Sequence, residues 1–204
     1  MAFLIATWQA GGATQVAIGL GRLLAQRGHR VRIFGPAELA SRIAEAGCLH
    51  RPSPPEVELD LRRRAEDQWD ALRRVWFGRE LADAFTAEFP REPADAVVVD
   101  YLLLSVSAGA ERIGAPTALL VHTIYGFHGG HRDDDATMER WYEPVNASRV
   151  ELGLEPLATG PDSVTVALIR RAGVGIVVVP REFDDCPEPP ANVVHVGLLR
   201  EPCR

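Results

Sequence analysis

The apolar positions of the first thirty-five residues change period twice. Phe3 to Trp8 is a short apolar run; beyond the paired glycines Gly11 and Gly12, Val16, Ile18, Leu20, Leu23 and Leu24 recur mostly at helical spacing; Val31, Ile33 and Phe34 then open a second apolar run. The pattern predicts strand, tight turn, helix and strand. Gly28 ends the helix, because glycine can take the left-handed conformation that releases the chain. A βαβ unit of this kind sets its two strands parallel and seeds a doubly wound sheet, whose ligand crevice lies outside the strand C-termini. The turn from Trp8 to Gln15 falls at that crevice.

The same alternation continues. Ala37 to Ala46 reads as an alanine-rich helix closed by Gly47, Cys48 to His50 as a short third strand, and Arg51 to Pro55 as an irregular, proline-rich loop. Between Leu59 and Phe89, Trp69, Leu72, Val75, Trp76, Leu81 and Phe85 stand at roughly helical spacing, and Gly78 divides the segment into two helices. Ala96 to Val99 reads as a strand ended by Asp100, Leu103 to Ile113 as a helix, and Thr117 to Val121 as a strand. The tip of this strand carries His122 and Thr123, followed by Tyr125, Phe127, His128 and His131 among glycines. Trp141, Val145 and Leu152 indicate a broken helix kinked at Pro144. Asp162 or Ser163 caps a helix to Ala172, and Val174 to Val179 and Val193 to Val196 complete the strands. The predicted class is α/β: a Rossmann-like, doubly wound, mainly parallel sheet of about six or seven strands in a single domain.

Composition narrows the partners. The 204 residues carry a formal net charge of −6, and the arginines are scattered among acids, which argues against a nucleic-acid partner. The densest run, Arg62 to Arg64, is bracketed by Glu58, Asp60, Glu66 and Asp67 and reads as a solvated helix face. Cys48, Cys186 and Cys203 are an odd, widely spaced set, so neither a disulfide framework nor a zinc site is suggested. The N-terminal apolar run is too short for a signal peptide, and no stretch approaches the roughly 20 apolar residues of a membrane span. The expectation is a cytoplasmic protein with no stable membrane anchor.

The glycine turn fits neither familiar nucleotide loop. Dinucleotide binding needs G-x-G-x-x-G and an acid ending the second strand; here the turn reads A-G-G-A-T-Q and the strand ends in Phe34, Gly35 and Pro36. A phosphate-binding loop of the Walker type needs a lysine, and the chain has none. Asp100, at a buried strand tip, either points into the crevice for chemistry or caps the following helix. His122 has a position fixed by the sheet and the stronger claim of the histidines to a role. The spacing of His122, His128 and His131 matches no metal-ligand pattern, so no metal is expected. Trp69 and Trp76 are open to two readings, core packing or ligand contact.

The segments W-Q-A-G-G-A-T-Q-V, G-L-G-R-L-L-A-Q-R-G-H-R-V, A-V-V-V-D-Y at Asp100, A-P-T-A-L-L-V-H-T-I-Y at His122 and N-V-V-H-V-G near the C-terminus together resemble the N-terminal half of family 1 glycosyltransferases, most of all bacterial enzymes that glycosylate natural products. The resemblance implies one of two facing Rossmann-like domains of a GT-B enzyme. Residues 1–204 would be the acceptor-binding domain, and a donor-binding C-terminal domain, on this chain or a separate one, would hold a UDP- or dTDP-linked sugar; no cofactor is implied for this domain itself. The implied reaction is an inverting displacement on the sugar by a hydroxyl of a hydrophobic small molecule. The family's base, a histidine in the first turn oriented by an aspartate at a later strand tip, would fall at position 13, which is Ala13 here, while Asp100 fits the aspartate. Either His122 or Asp100 is then the base, or the acceptor needs little activation, with Gly11, Gly12, Ala13, Thr14, Trp69, Trp76, Thr123, Tyr125, Phe127 and His128 around the acceptor. Alanine at position 13 also leaves open a noncatalytic half-transferase that acts as a partner or ligand-binding protein. His29, at the far end of the helix, reads as structural.

Overall fold

The structure is a computed structural model that describes residues 1–57, 65–129, 141–160, 162–184 and 189–199. Seven strands form one sheet: β1 (Ala2–Ala6), β2 (Arg30–Gly35), β3 (Leu49–Pro52), β4 (Ala96–Asp100), β5 (Thr117–Val121), β6 (Gly173–Val177) and β7 (Val193–His195). Their spatial order is β3-β2-β1-β4-β5-β6-β7, and every neighbouring pair is parallel. This is the doubly wound sheet that the alternating pattern predicts. The order runs outward from β1 to β3 in one direction and from β4 to β7 in the other, so the switch point where such sheets open a crevice lies between β1 and β4.

Between the strands run α1 (Gly11–Gln26), α2 (Ala40–Glu45), α3 (Ala65–Phe77), α4 (Arg79–Arg91), α5 (Leu104–Arg112), the single turn α6 (Gly126–Gly129), α7 (Tyr142–Glu151) and α8 (Val164–Ala172). Strand side chains alternate between two cores, one on each face of the sheet. Leu4, Ala6, Val97, Val99, Leu119 and Val121 face a larger cluster completed by Trp76, Phe85, Leu104, Val106 and Ile169. Ile5, Val98 and Leu120 face the other, with Ile18, Ile33 and Ile43. Burial on both sides explains why the central strands read as continuous apolar runs.

Helix α1 stops as its sequence predicts. Gly28 sits at φ +81°, its N–H donates to the Ala25 carbonyl and the His29 N–H to the Leu24 carbonyl, the paired bonds of a left-handed helix exit. Gly78 likewise separates α3 from α4. Several boundaries differ from the sequence reading: β1 ends at Ala6 rather than Trp8, β7 at His195 rather than Val196, and Ala37 to Ala46 divides into a 3-10 turn, Ala37–Leu39, and α2. α1 begins at Gly11, so the glycines form its first turn rather than a loop before it. β3 extends through Pro52, which an edge strand tolerates because its outer N–H positions need no partner. β6 ends at Val177, two residues early. Pro144 lies in the first turn of α7, where its missing N–H costs nothing. The stretch expected to precede it, the Arg62–Arg64 run, His131, Cys186 and Cys203 lie outside the described residues.

Candidate functional site

Strand alternation brings Asp100 and His122 together. Asp100 pairs in register with Leu120, and His122 stands two residues beyond Leu120, hence on the same side of the sheet. The Asp100 side chain has no exposed surface. Its Oδ1 accepts from the Trp8 indole N–H at 3.1 Å and from the Leu102 backbone N–H at 3.0 Å. Its Oδ2 faces His122 Nε2 at 3.2 Å. The ring N–H is not aligned for a hydrogen bond along this line, and neither atom has a hydrogen-bond partner among the described residues. The contact is a charge contact: an imidazolium formed at His122 is opposed at once by a buried carboxylate. The other ring nitrogen, Nδ1, turns toward Gly12 and lies 3.8 Å from where a Cβ on that glycine would stand.

Of the two readings open for Asp100, the helix-capping one does not hold. The amide that Asp100 bonds, that of Leu102, lies two residues before α5 begins at Leu104. The Asp100 carboxylate instead closes the short turn between β4 and α5 while its second oxygen meets the histidine.

A second group of polar side chains adjoins this pair. The Tyr101 ring meets both His122 and His128 edge to face, each with centroids 5.0 Å apart. Thr123 Oγ1 donates to the Tyr101 hydroxyl at 3.3 Å and, with its proton so used, accepts from His128 Nε2 at 3.1 Å. Burial pushes the Tyr101 phenol up to about 12, an effect the Thr123 hydrogen bond eases. Burial and the neighbouring His122 push His128 down to about 4. Both groups are therefore neutral at neutral pH and serve as dipoles rather than charges.

All four tryptophans of the chain gather about Trp76, and Trp8 reaches from it to the carboxylate. Trp76 makes ring contacts with Trp8 at 6.0 Å, Trp69 at 6.3 Å and Trp141 at 5.3 Å between centroids. A hollow of about 320 Å³ opens among Trp69, Asp70, Arg73, Trp76, Phe77 and Trp141. Trp69 is 62% exposed at its rim, whereas Trp76 is buried. Trp8 links this hollow to the strand tips, with its ring on Trp76 and its N–H on Asp100.

The remaining sequence candidates fall in different places. Gly11 and Gly12 are exposed in the first turn of α1, and Ala13 has no exposed surface. Thr14 is buried, and its hydroxyl donates to the Trp8 carbonyl at 2.8 Å, closing the β1-α1 turn. Tyr125 is fully buried, while Phe127 is half-exposed. The readings from sequence did not single out Trp8, Tyr101, Asp184 or His195. The position of Trp8 just past the first strand was the one available signal; the other three are assembled by tertiary register alone. Among the described residues, no group of three or more His, Cys, Asp or Glu side chains is arranged to hold a metal ion, and no helix is long and apolar enough to cross a membrane.

Chemically, the strand tips offer a histidine backed by a buried carboxylate; Trp8 connects that pair to Trp76 in the wall of the hollow, which neither Asp100 nor His122 lines. That pair can take a proton from a hydroxyl.

Comparisons with known proteins bear on the fold and the family. The family model described as Glycosyltransferase Family 4 matches residues 10–150. The vancomycin aglycone glucosyltransferase of Amycolatopsis orientalis is 29% identical over 136 residues, which are 63% of this chain and 31% of that protein. Among solved structures, the glycosyltransferase of kitacinnamycin superimposes with a TM-score of 0.76 at 18% identity, over 97% of this chain and 51% of its own. The calicheamicin glycosyltransferase does so with a TM-score of 0.67 at 21% identity and the same coverage. Glycosyltransferase VinC, solved in complex with dTDP, gives 0.63 at 16% identity, over 95% of this chain and 52% of its own. The chain thus spans about half the length of these solved relatives, and they share its fold.

Proposed function

We propose, from the premise that this chain belongs to glycosyltransferase family 4, that it is the acceptor-binding domain of an inverting glycosyltransferase. The fold is the N-terminal, Rossmann-like half of a GT-B enzyme. In the proposed reaction a sugar passes from a nucleotide-sugar donor, UDP- or dTDP-linked, to a hydroxyl of a hydrophobic small molecule. The observation that carries the reading is the approach of His122 Nε2 to Asp100 Oδ2 at 3.2 Å at the tips of β5 and β4, with Trp8 leading from Asp100 to the wall of the tryptophan hollow.

In this reading His122 is the general base. Its Nδ1, on the Gly12 side, takes the proton of the acceptor hydroxyl as the oxygen attacks the anomeric carbon. The new carbon–oxygen bond forms as the bond to the nucleotide diphosphate breaks on the opposite face, and the electron pair leaves with the diphosphate. Asp100 balances the imidazolium that forms, and Trp8 and Leu102 hold that carboxylate in place. Tyr101, Thr123 and His128 line the same mouth as neutral groups, and the tryptophan hollow takes the apolar body of the acceptor. A donor-binding domain, on this polypeptide or another, supplies the diphosphate site; the dTDP bound to VinC supports a donor of that class.

The test has two arms. Calorimetry of this chain alone should show no binding of UDP- or dTDP-sugars, and micromolar binding would contradict the division of labour. In an enzyme completed by a donor-binding domain, His122→Ala should lower kcat by about 10² to 10⁴, the usual worth of general-base help; an unchanged kcat would remove His122 from the role. The buried Ala13 favours a second reading, a noncatalytic half-transferase. It predicts acceptor binding without sugar transfer even when a donor-binding domain is present.

A further inference from the structure

One carboxylate away from the switch point gathers donors from two other stretches of the chain. Asp184 follows β6 and the 3-10 turn Arg181–Phe183, and its side chain has no exposed surface. Its Oδ1 accepts from the Gly126 N–H at 2.7 Å, and its Oδ2 from the Tyr125 N–H at 3.0 Å. Oδ2 also lies 2.8 Å from Nε2 of His195, the last residue of β7, whose side chain is 8% exposed. A carboxylate buried to this degree is tolerated because these donors replace its water shell, and each bond to an ionised acceptor is stronger than a neutral one.

We infer that Asp184 and His195 are positioning residues for the loop that carries His122, Thr123 and His128. Asp184 fastens the far end of that loop to the exits of β6 and β7. His195 holds the carboxylate in the orientation that reaches both amides. Only Thr123 and Ile124 separate His122 from the anchored Tyr125, so the chain has little slack between the end of β5 and the clamp. On the other side of the clamp stands α6, whose backbone presents His128 to Thr123. Release of the clamp therefore loosens both histidines at once; in Asp184→Ala His128 also loses the field of that carboxylate, so the His195 variants carry the ring-nitrogen readout. The weight of this for sugar transfer rests on the proposed function; the clamp itself is a property of the chain without sugar or acceptor.

Amide hydrogen exchange by NMR on the intact chain tests it, with the wild type, His195→Ala, His195→Gln and Asp184→Ala. Glutamine sets an amide N–H where the imidazole Nε2–H stood. Exchange at Tyr125 and Gly126 should rise about tenfold or more in His195→Ala and Asp184→Ala, the loss expected for bonds to a charged group. The ring nitrogen resonances of His122 and His128 should move with it, while amides of β1 and β4 keep their protection. His195→Gln should restore both readouts. Wild-type protection at Tyr125 and Gly126 in His195→Ala, or a His195→Gln chain as unprotected as His195→Ala, overturns the inference. Should Asp184→Ala fail to fold, the comparison of the two His195 variants decides alone. No sugar or acceptor enters the experiment, so failure of the transferase reading and failure of the clamp are seen separately.

Discussion

Replacing His128 by glutamine separates one buried titration from all the others. In the folded chain His128 is 8% exposed, and burial together with the nearby His122 pushes it down to about 4; a free imidazole titrates at about 6.5. With the folded value depressed, the unfolded chain binds a proton over a range in which the folded chain does not. Acid therefore favours unfolding. The contribution is whole above about pH 6.5 and is lost as the pH falls toward about 4. Integrated from about pH 7.5 to about pH 4.5, the loss is about 2.5 kcal/mol. Glutamine keeps a nitrogen donor near the Nε2 position for Thr123 and does not titrate. Urea unfolding of both chains at both pH values should show the wild type losing about 2.5 kcal/mol more than His128→Gln on acidification. Every other titrating group is common to the two chains, so this double difference belongs to His128. A value below about 0.5 kcal/mol would refute the reasoning, because a sealed imidazole cannot titrate freely in the folded chain.

Other consequences follow from packing and charge. Arg149 is fully buried and donates to both Glu111 oxygens, at 2.7 and 3.0 Å; Glu111→Gln should cost about 3 kcal/mol in urea unfolding, because the guanidinium loses its counter-charge but stays inside. A Cβ on Gly21 would stand 2.9 Å from Ile33 Cδ1 and 3.0 Å from Cys48 Sγ, where α1 crosses β2 and β3; Gly21→Val should cost about 1–3 kcal/mol by overpacking, read as a fall in Tm of about 2–4 °C per kcal/mol. Burial pushes the Cys48 thiol up to about 11; in peptide mapping after iodoacetamide treatment at about pH 8, Cys48 should stay unmodified in the native chain and react once urea is added.

The fold was legible wherever one periodicity dominated. Thr117 to Val121 reads as a strand and is one, since its apolar run packs between two neighbouring strands, and the Thr117 hydroxyl at its start donates to the Ala115 carbonyl. The boundaries that moved are those that backbone geometry sets. Pro52 ends an edge strand, and Pro144 sits in the first turn of a helix. The site was half legible. Asp100 and His122 stood out because a polar residue abruptly ends an apolar strand, and their meeting needs only the register of β4 and β5. The bond from Trp8 to Asp100 spans ninety-two positions, and the clamp of Asp184 on Tyr125 and Gly126 joins the exits of two different strands. No local pattern encodes such pairs; they exist only once the sheet order is fixed.

Sheet order also bears on the alanine at position 13. β4 lies between β1 and β5, so the Asp100 carboxylate at its tip can be approached from the β1-α1 turn on one side and from the tip of β5 on the other. Ala13 is sealed in the same core cluster as Trp8, and its methyl leaves that first side without a titratable group. On the second side His122 lies against Oδ2 and directs its other nitrogen at Gly12, a residue with no side chain to block the approach. On the proposed reading, the proton acceptor has changed strands while the carboxylate that steadies it has stayed. Such an exchange conserves the charge arrangement of the mouth, because what the reaction requires is an imidazole between a buried anion and open space, whichever element delivers it.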